Sequence, residues 1–448
     1  MDIVSIVFYD DGIIGGENFE SCDKASKTVY SDLVKSNVLP NPKKSHWKPT
    51  KKLEWLGFEW DFEAGGVRAS QKRVDKLVER IDLVSNLYPN VTARAIARVV
   101  GSPISMHLVI GDLCMLQTRY LQNIVNYKHI IEIGWDRRIN LKHIDVGFKI
   151  QDELQFWKAQ ISTLNFRSFF PTVKPRRLLY GDASEHGVGG ILVEGGRNIP
   201  FNSDLPDNLI GKSSGERELY ALKCALLSFS DKISGCSIIY HTDSQVADIV
   251  CKKGSSKLYL HKYAIEIFDF CKKFKIDLCT VWIARTVNEI ADFYSKSSDT
   301  DSWTTRPKFF EKISKLSGLE FSLDVFSNDD NKKCDRFYSM HYCPGTLGVN
   351  SLLFPWDGET VWACPPVKLL SQTFVHMKQC KVKGVVVLPE WISLPVWPLF
   401  NNSNFAPFIK GMWSFPGYLF LKSNDKNCIF NEKFRGSIRA CYFDFTRA

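Results

Sequence analysis

The 13 cysteines of this chain include no Cys-x-x-Cys pair. An odd count without a spacing framework excludes a disulfide scaffold and predicts reduced thiols. Cys334 and Cys343 flank His341, but no second pair follows at a zinc-like spacing. No uninterrupted apolar run approaches the length of a bilayer span. The most apolar stretch, 385–400, is broken by Glu390, Pro389, Pro395 and Pro398. No signal peptide is expected either, because Asp2 and the pair Asp10-Asp11 interrupt any apolar start. These absences predict an intracellular protein, cytoplasmic or nuclear, that is neither secreted nor in a membrane. What is present is bulk and local charge. The 448 residues leave room for about three domains on a ~150-residue prior, and a hydrophobic share of 44% supports real cores. The net charge of +9 is concentrated in pairs such as Lys43-Lys44, Lys51-Lys52, Arg176-Arg177, Lys252-Lys253 and Lys272-Lys273. Such pairs are either solvated faces or phosphate contacts.

Four acids stand in distinctive contexts. Asp182 ends the apolar run Leu178-Leu179-Tyr180-Gly181, and Asp243 ends Ile238-Ile239-Tyr240-His241-Thr242. Glu218 opens an apolar-periodic helix, and Asp292 follows a third apolar run, 278–283. Two strand-end and two helix carboxylates can converge above one sheet. Bare carboxylates about 4 Å apart repel by roughly 4 kcal/mol at an effective dielectric near 20, so such a cluster calls for cations. Oxygen-only ligands select Mg²⁺, with Mn²⁺ as a substitute. Strands are expected over 187–194 and 198–202, and helices over 246–252 and 258–274.

Gly-Asp-Ala-Ser, Arg-Glu-Leu-Tyr-Ala, Thr-Asp-Ser-Gln and Asn-Glu-Ile-Ala-Asp, in this order, resemble the ribonuclease H domain of retroelement polymerases. The resemblance implies that Asp182, Glu218, Asp243 and Asp292 are catalytic and hold two Mg²⁺ ions. It implies hydrolysis of the RNA strand of an RNA–DNA hybrid, with the ribose 2′-OH marking that strand. Leu-x-Ala after the second acid selects Glu218 over Glu216. Ser244 and Gln245 would lie near the hybrid backbone. Some relatives carry a loop His before the last acid, and 284–287 supplies none.

Ile3 to Ile14 reads as strand, acidic tip and strand, a hairpin with Asp10-Asp11-Gly12 at the turn. Together with Asn41-Pro42-Lys43-Lys44 and Trp55-Leu56-Gly57 it resembles the later palm motifs of a reverse transcriptase. On that resemblance Tyr9, Asp10, Asp11 and Lys44 are part of a polymerase site, and Trp55 and Gly57 grip nucleic acid. The family's upstream metal-binding Asp is missing, so the polymerase half is expected to be incapable alone. The chain is expected to be the downstream part of a longer protein, with upstream polymerase domains as a partner. Helices are predicted over 71–86, 93–127 and 152–164, with Arg94, Arg98 and Arg119 as candidate phosphate contacts.

The wording of 97–106 and 153–157 is similar to DIRS-type retrotransposons, although no recombinase constellation is visible. In those elements the C-terminal region resembles an adenine-N6 methyltransferase. Asp324-Val325-Phe326 and Cys364-Pro365-Pro366-Val367 occupy its acidic strand end and its Asp-Pro-Pro-Tyr box. Cys is a poor acceptor and Val cannot stack a base like Tyr, so methylation is not expected. The predicted fold class is α/β multi-domain. It comprises a partial reverse-transcriptase palm (1–66), a helical thumb/connection (67–170), a ribonuclease H-like mixed sheet with helices (171–304) and a small methyltransferase-like α/β domain (305–448). Two alternatives stay open: a non-catalytic nucleic-acid-binding remnant, and a DNA adenine methyltransferase with an attached nuclease fold.

Overall fold

The computed structural model describes residues 4–126, 134–144, 149–297, 303–422, 428–430 and 434–447. The chain is a mixed α/β protein with two units: Met1–Val173 with Lys252–Lys257, and Lys174–Cys251 with Leu258–Ala448.

In the first unit, β1 (Val4–Phe8) and β2 (Asp11–Gly15) form the N-terminal hairpin. Phe8 pairs with Asp11, so the turn is Tyr9-Asp10, one residue earlier than the sequence suggests. A two-residue hairpin turn requires positive φ at one or both central positions, and Tyr9 takes it at +56°. Helix α1 (Phe19–Lys35) is closed at its start by a reciprocal Asn18–Ser21 capping box. Strands β3 (Lys52–Trp55) and β4 (Phe58–Asp61) meet at Leu56-Gly57, both with positive φ. With β5 (Gly66–Ala69) and β6 (Arg167–Ser168) they make a four-stranded antiparallel sheet. Helix α2 (Gln71–Leu87) follows, as the spacing predicts.

The stretch 93–127 is not one helix. It divides into α3 (Ala93–Ile104), two single turns (His107–Ile110 and Leu113–Leu116) and α4 (Arg119–Val125). Pro103 near the end of α3 and Gly111 at φ +72° break the run. Tyr127 lies outside the described residues. Helix α5 (Lys149–Leu164) closes a core with α2, α3 and α4 around Leu77, Ile81, Ile96, Leu121, Leu154 and Trp157. Within it Glu153 is 2% exposed. Its two carboxylate oxygens accept the Tyr120 and Leu121 amides, both at 2.9 Å, at the start of α4.

Among the described residues the second unit holds two large sheets and a two-stranded ribbon, Thr304–Thr305 with Leu421–Lys422. The first contains β7 (Arg176–Ala183), β8 (Gly187–Glu194), β9 (Arg197–Asp204), β10 (Ser237–Thr242) and β11 (Asp277–Trp282). Their order is β9-β8-β7-β10-β11, with β9, β8 and β7 antiparallel and β7, β10 and β11 parallel. Helices α6 (Ser214–Ser228), α7 (Gln245–Lys253), α8 (Leu258–Lys273) and α9 (Glu289–Lys296) connect or follow these strands. Helix α6 begins at Ser213, whose Oγ accepts the Glu216 amide. Its spacing buries Leu219, Leu222 and Leu226.

The second sheet lies in the C-terminal region, after α10 (Pro307–Ser317). Strands β12 (Leu323–Asp324), β13 (Arg336–Phe337), β14 (Thr360–Ala363) and β15 (Lys383–Pro389) are parallel. Helix α11 (Leu370–Gln379) lies between β14 and β15 in sequence, as expected. Strand β17 (Ser437–Asp444) runs antiparallel between β15 and β16 (Ile409–Pro416). The order is β13-β12-β14-β15-β17-β16. Valines 385–387 are fully buried, as befits a central strand covered on both faces. All 13 cysteines are free thiols. Among the described residues no helix is long and apolar enough to cross a membrane.

Candidate active site

Parallel pairing builds the site. β7 and β10 run side by side with His241 opposite Tyr180, so their C-terminal ends are adjacent. Asp182 and Asp243 therefore sit next to one another. Glu218 comes from the first turns of α6, and Glu216, two positions earlier, does not line the cleft. One carboxylate oxygen from each of Asp182, Glu218 and Asp243 lies within 4.8 Å of the others. Among the described residues this is the group of metal-ligating side chains that converges; Cys334, His341 and Cys343 do not. The cleft measures about 690 Å³, and Asp292 lines it as well.

Asp292 is held by two cations. Lys296 Nζ donates to it at 2.6 Å, and Arg285 Nη2 at 3.3 Å. The Lys296 hydrogen bond, aided by Arg285, keeps its carboxyl below the usual range. The other side of the cleft behaves oppositely. Burial pushes Asp182 up, with Asp243 and Asp292 adding to the rise, while Ser295 opposes it. Ser295 Oγ donates to Asp182 Oδ2 at 2.5 Å. Burial, with Asp182 and Asp243 beside it, pushes Glu218 far above the carboxylate range. Glu218 is 4% exposed, and its Oε2 has no hydrogen-bond partner.

A buried, unpartnered carboxylate oxygen facing two other carboxylates is costly unless a cation compensates it. The donor set is all oxygen, which suits a hard divalent ion such as Mg²⁺ or Mn²⁺. The residues present fit that group.

The position of α9 depends on glycine. A Cβ on Gly189 would lie 2.4 Å from the Tyr294 carbonyl carbon, so only glycine lets α9 lie this close to β8. Asn288, 1% exposed, ties the start of α9 to β7 by donating to the Gly181 carbonyl at 3.1 Å.

Of the remaining expected residues, Ser244 lines the cleft and its Oγ accepts the Ala247 amide at 3.2 Å, capping α7. Gln245 is exposed at the start of that helix. Tyr9, Asp10, Asp11 and Lys44 are exposed, and Tyr9, Asp10 and Asp11 form no converging group with a third acid among the described residues. Trp55 ends β3 and Gly57 lies in the β3–β4 turn. Arg94 is engaged in a two-point pair with Asp136 at 2.6 and 2.9 Å. Arg119 donates to the Lys253 carbonyl. Arg285, Ser295, Arg217 and Asn202 also line the cleft, and the sequence does not single them out. Ser295 alone left a signal, three residues after Asp292 on a short helix.

A family model described as DNA N-6-adenine-methyltransferase (Dam) matches residues 294–434, less than half of the chain. No curated protein matches. Among solved structures, the chain is similar to RNase H1 from the halophilic archaeon Halobacterium salinarum NRC-1, with 22% identity and a TM-score of 0.24, covering 27% of this chain and 93% of that one. A foamy viral protease-reverse transcriptase in complex with double-stranded DNA gives 14% identity and a TM-score of 0.30, covering 62% of this chain and 46% of that one. LC11-RNase H1 in complex with RNA/DNA hybrid gives 18% identity and a TM-score of 0.22, covering 26% of this chain and 92% of that one. This chain thus spans less than half of the foamy viral protein.

Proposed function

We propose that the β9-β8-β7-β10-β11 sheet and its helices form a metal-dependent ribonuclease of the ribonuclease H type, which hydrolyses the RNA strand of an RNA–DNA hybrid. One observation carries the reading. Three carboxylates from two adjacent strand ends and one helix lie within 4.8 Å, one of them buried with an unpartnered oxygen. Asp182, Glu218 and Asp243 would hold the divalent ions, and Asp292 would join them from the cleft wall. When bound there, such ions activate water and neutralise charge on the leaving oxygen. The chain's own residues do the positioning. Ser295 orients Asp182, Asn288 fixes α9 to β7, and Arg285 holds Asp292 until a competing cation or phosphate arrives.

The wider setting we propose is a retroelement polyprotein fragment of DIRS type. Residues 1–66 would be a partial palm, 67–170 a thumb or connection, 171–304 the nuclease and 305–448 a methyltransferase-like domain. Tyr9, Asp10, Asp11 and Lys44 would then need upstream polymerase domains to act.

Cleavage of an end-labelled RNA–DNA hybrid tests this, with Mg²⁺, with Mn²⁺ and with chelator. Metal-dependent cutting of the RNA strand is expected, with Asp243→Asn at least a hundredfold slower. An Asp243→Asn chain that cuts as fast as the parent would sink the assignment. Salt-sensitive hybrid binding without cutting would favour the binding-remnant alternative.

The family match to residues 294–434 favours a second reading, methyl transfer to adenine. Its chemistry is weak here. Cys364 stands where the hydrogen-bond acceptor is needed and is 5% exposed, with its thiol pushed up by burial. Labelled-methyl transfer from S-adenosylmethionine to DNA is the test, and none is expected.

A further inference from the structure

An edge strand ordinarily presents unpaired backbone to solvent. β9 is an edge strand of the first sheet, yet the C-terminal region covers it. The Asn202 amide donates to the Tyr342 carbonyl at 3.0 Å, and the Tyr342 amide donates to the Pro200 carbonyl at 3.3 Å. These bonds make a parallel bridge between Phe201 and Tyr342. The Tyr342 ring packs on Phe229, with centroids 5.1 Å apart. One residue beyond Asn202, Ser203 Oγ donates to Asp329 Oδ2 at 2.8 Å, and Ser203 is 1% exposed. Asn328 Nδ2 donates to Asp204 Oδ2 at 3.4 Å.

The same strand forms a wall of the carboxylate cleft through Asn202 and Asp204. Asn202 Nδ2 also donates to the Tyr294 carbonyl at 2.6 Å, on the helix that carries Asp292 and Ser295. A continuous hydrogen-bonded path therefore runs from Asp329 and Tyr342 through β9 to α9.

The region that supplies Asp329 and Tyr342 does not fit the methyl transfer to adenine that its family match suggests. Asp324, at the acidic strand end, is 2% exposed. Its two oxygens accept the Phe326 amide at 3.3 Å and the Lys333 amide at 2.9 Å, so they close their own loop. Cys364 and Val367 replace the acceptor and the stacking aromatic.

We propose that the methyltransferase-like region serves the nuclease cleft rather than a DNA base: Asp329 and Tyr342 clamp β9, and β9 in turn positions α9 with Asp292. Asp329 is a positioning residue on this account, acting through Ser203 and Asn202. The clamp rests on the nuclease reading above.

The test uses the full chain with Asp329→Ala and Asp329→Asn. Asn keeps an acceptor for Ser203, and Ala does not. Rates on an RNA–DNA hybrid are read as kcat and KM separately, and amide hydrogen exchange is read over Arg197–Asp204. Asp329→Ala is expected to lower kcat roughly tenfold with KM little changed. It should also speed exchange in β9, whereas Asp329→Asn should stay within about twofold of the parent on both readouts. Should Asp329→Ala fail to fold, Ser203→Ala removes the same bond from the other side and is read identically. A parent that cuts nothing removes the nuclease reading and the clamp with it. A parent that cuts, beside an Asp329→Ala chain that cuts equally well, overturns the clamp alone. So does methyl transfer to adenine by the full chain.

Discussion

Glu218→Gln should stabilise the metal-free protein while destroying its response to metal. Two unit charges 4.8 Å apart repel by about 3.5 kcal/mol at an effective dielectric near 20, and Glu218 faces two such charges. The parent relieves that strain by keeping a proton on Glu218, which costs about 1.4 kcal/mol for each unit by which the solution pH exceeds the ordinary carboxylate pKa. The folded pKa is raised, so the group's contribution is present at low pH and lost as pH rises. In chelator the parent should therefore lose stability with rising pH, and the variant should lose less. One oxygen of Glu218 accepts the Ala183 amide, a bond that Gln can keep. At pH 8 we expect a gain of about 2 kcal/mol, or roughly 4–8 °C in the transition of the second unit. Mg²⁺ should raise the parent's transition by binding the folded state alone, and should leave the variant's transition unmoved. Scanning calorimetry of parent and variant at pH 6 and pH 8, with chelator and with Mg²⁺, reads these transitions. A variant no more stable than the parent in chelator at pH 8 would refute the reasoning. So would a variant that gains as much from Mg²⁺.

Three further outcomes follow from single contacts. Gly189→Ala places a methyl 2.4 Å from the Tyr294 backbone and should cost about 1–3 kcal/mol in urea unfolding, with hybrid cleavage lost disproportionately because α9 must move. Ser295→Ala removes the donor that favours ionised Asp182, so the acidic limb of the pH–rate profile should move to higher pH at fixed Mg²⁺; an unmoved limb would refute the coupling. Burial raises the Glu153 carboxyl from 4.5 to about 8, so its stabilising contribution is full below 4.5 and is lost as pH rises through 8. Glu153→Gln sets an amide NH₂ against one of two backbone donors and should cost about 1–3 kcal/mol at pH 5 but less at pH 8.5, as read by denaturant unfolding of the first unit.

The carboxylates were legible because strand-end acids advertise themselves. Apolar runs that stop at Asp182 and Asp243 specify two strands, and parallel pairing sets their ends side by side whatever the intervening loops do. Strand 187–194 was legible for a similar reason, since a continuous run of small and apolar residues suits a strand buried on both faces. Residues 93–127 were not legible, because apolar positions continue on an unbroken helical spacing while Pro103 and Gly111 interrupt the backbone beneath them. The hairpin turn moved by one residue because cross-strand pairing of Phe8 with Asp11 outweighs the local preference of Asp-Gly for a turn.

The partners of the acids were the least legible of all. Arg285 comes from a short turn with no period to betray it, and Asn202 reaches α9 across 92 positions of sequence. The contact from Ser203 to Asp329 spans 126 positions. The carboxylate cluster is written locally, in residue type and strand end. The support that orients those acids is assembled from distant segments, each of them an unremarkable polar residue. A change at Asp329 or Asn202 should therefore reach the cleft without touching any carboxylate that the sequence marks as chemical.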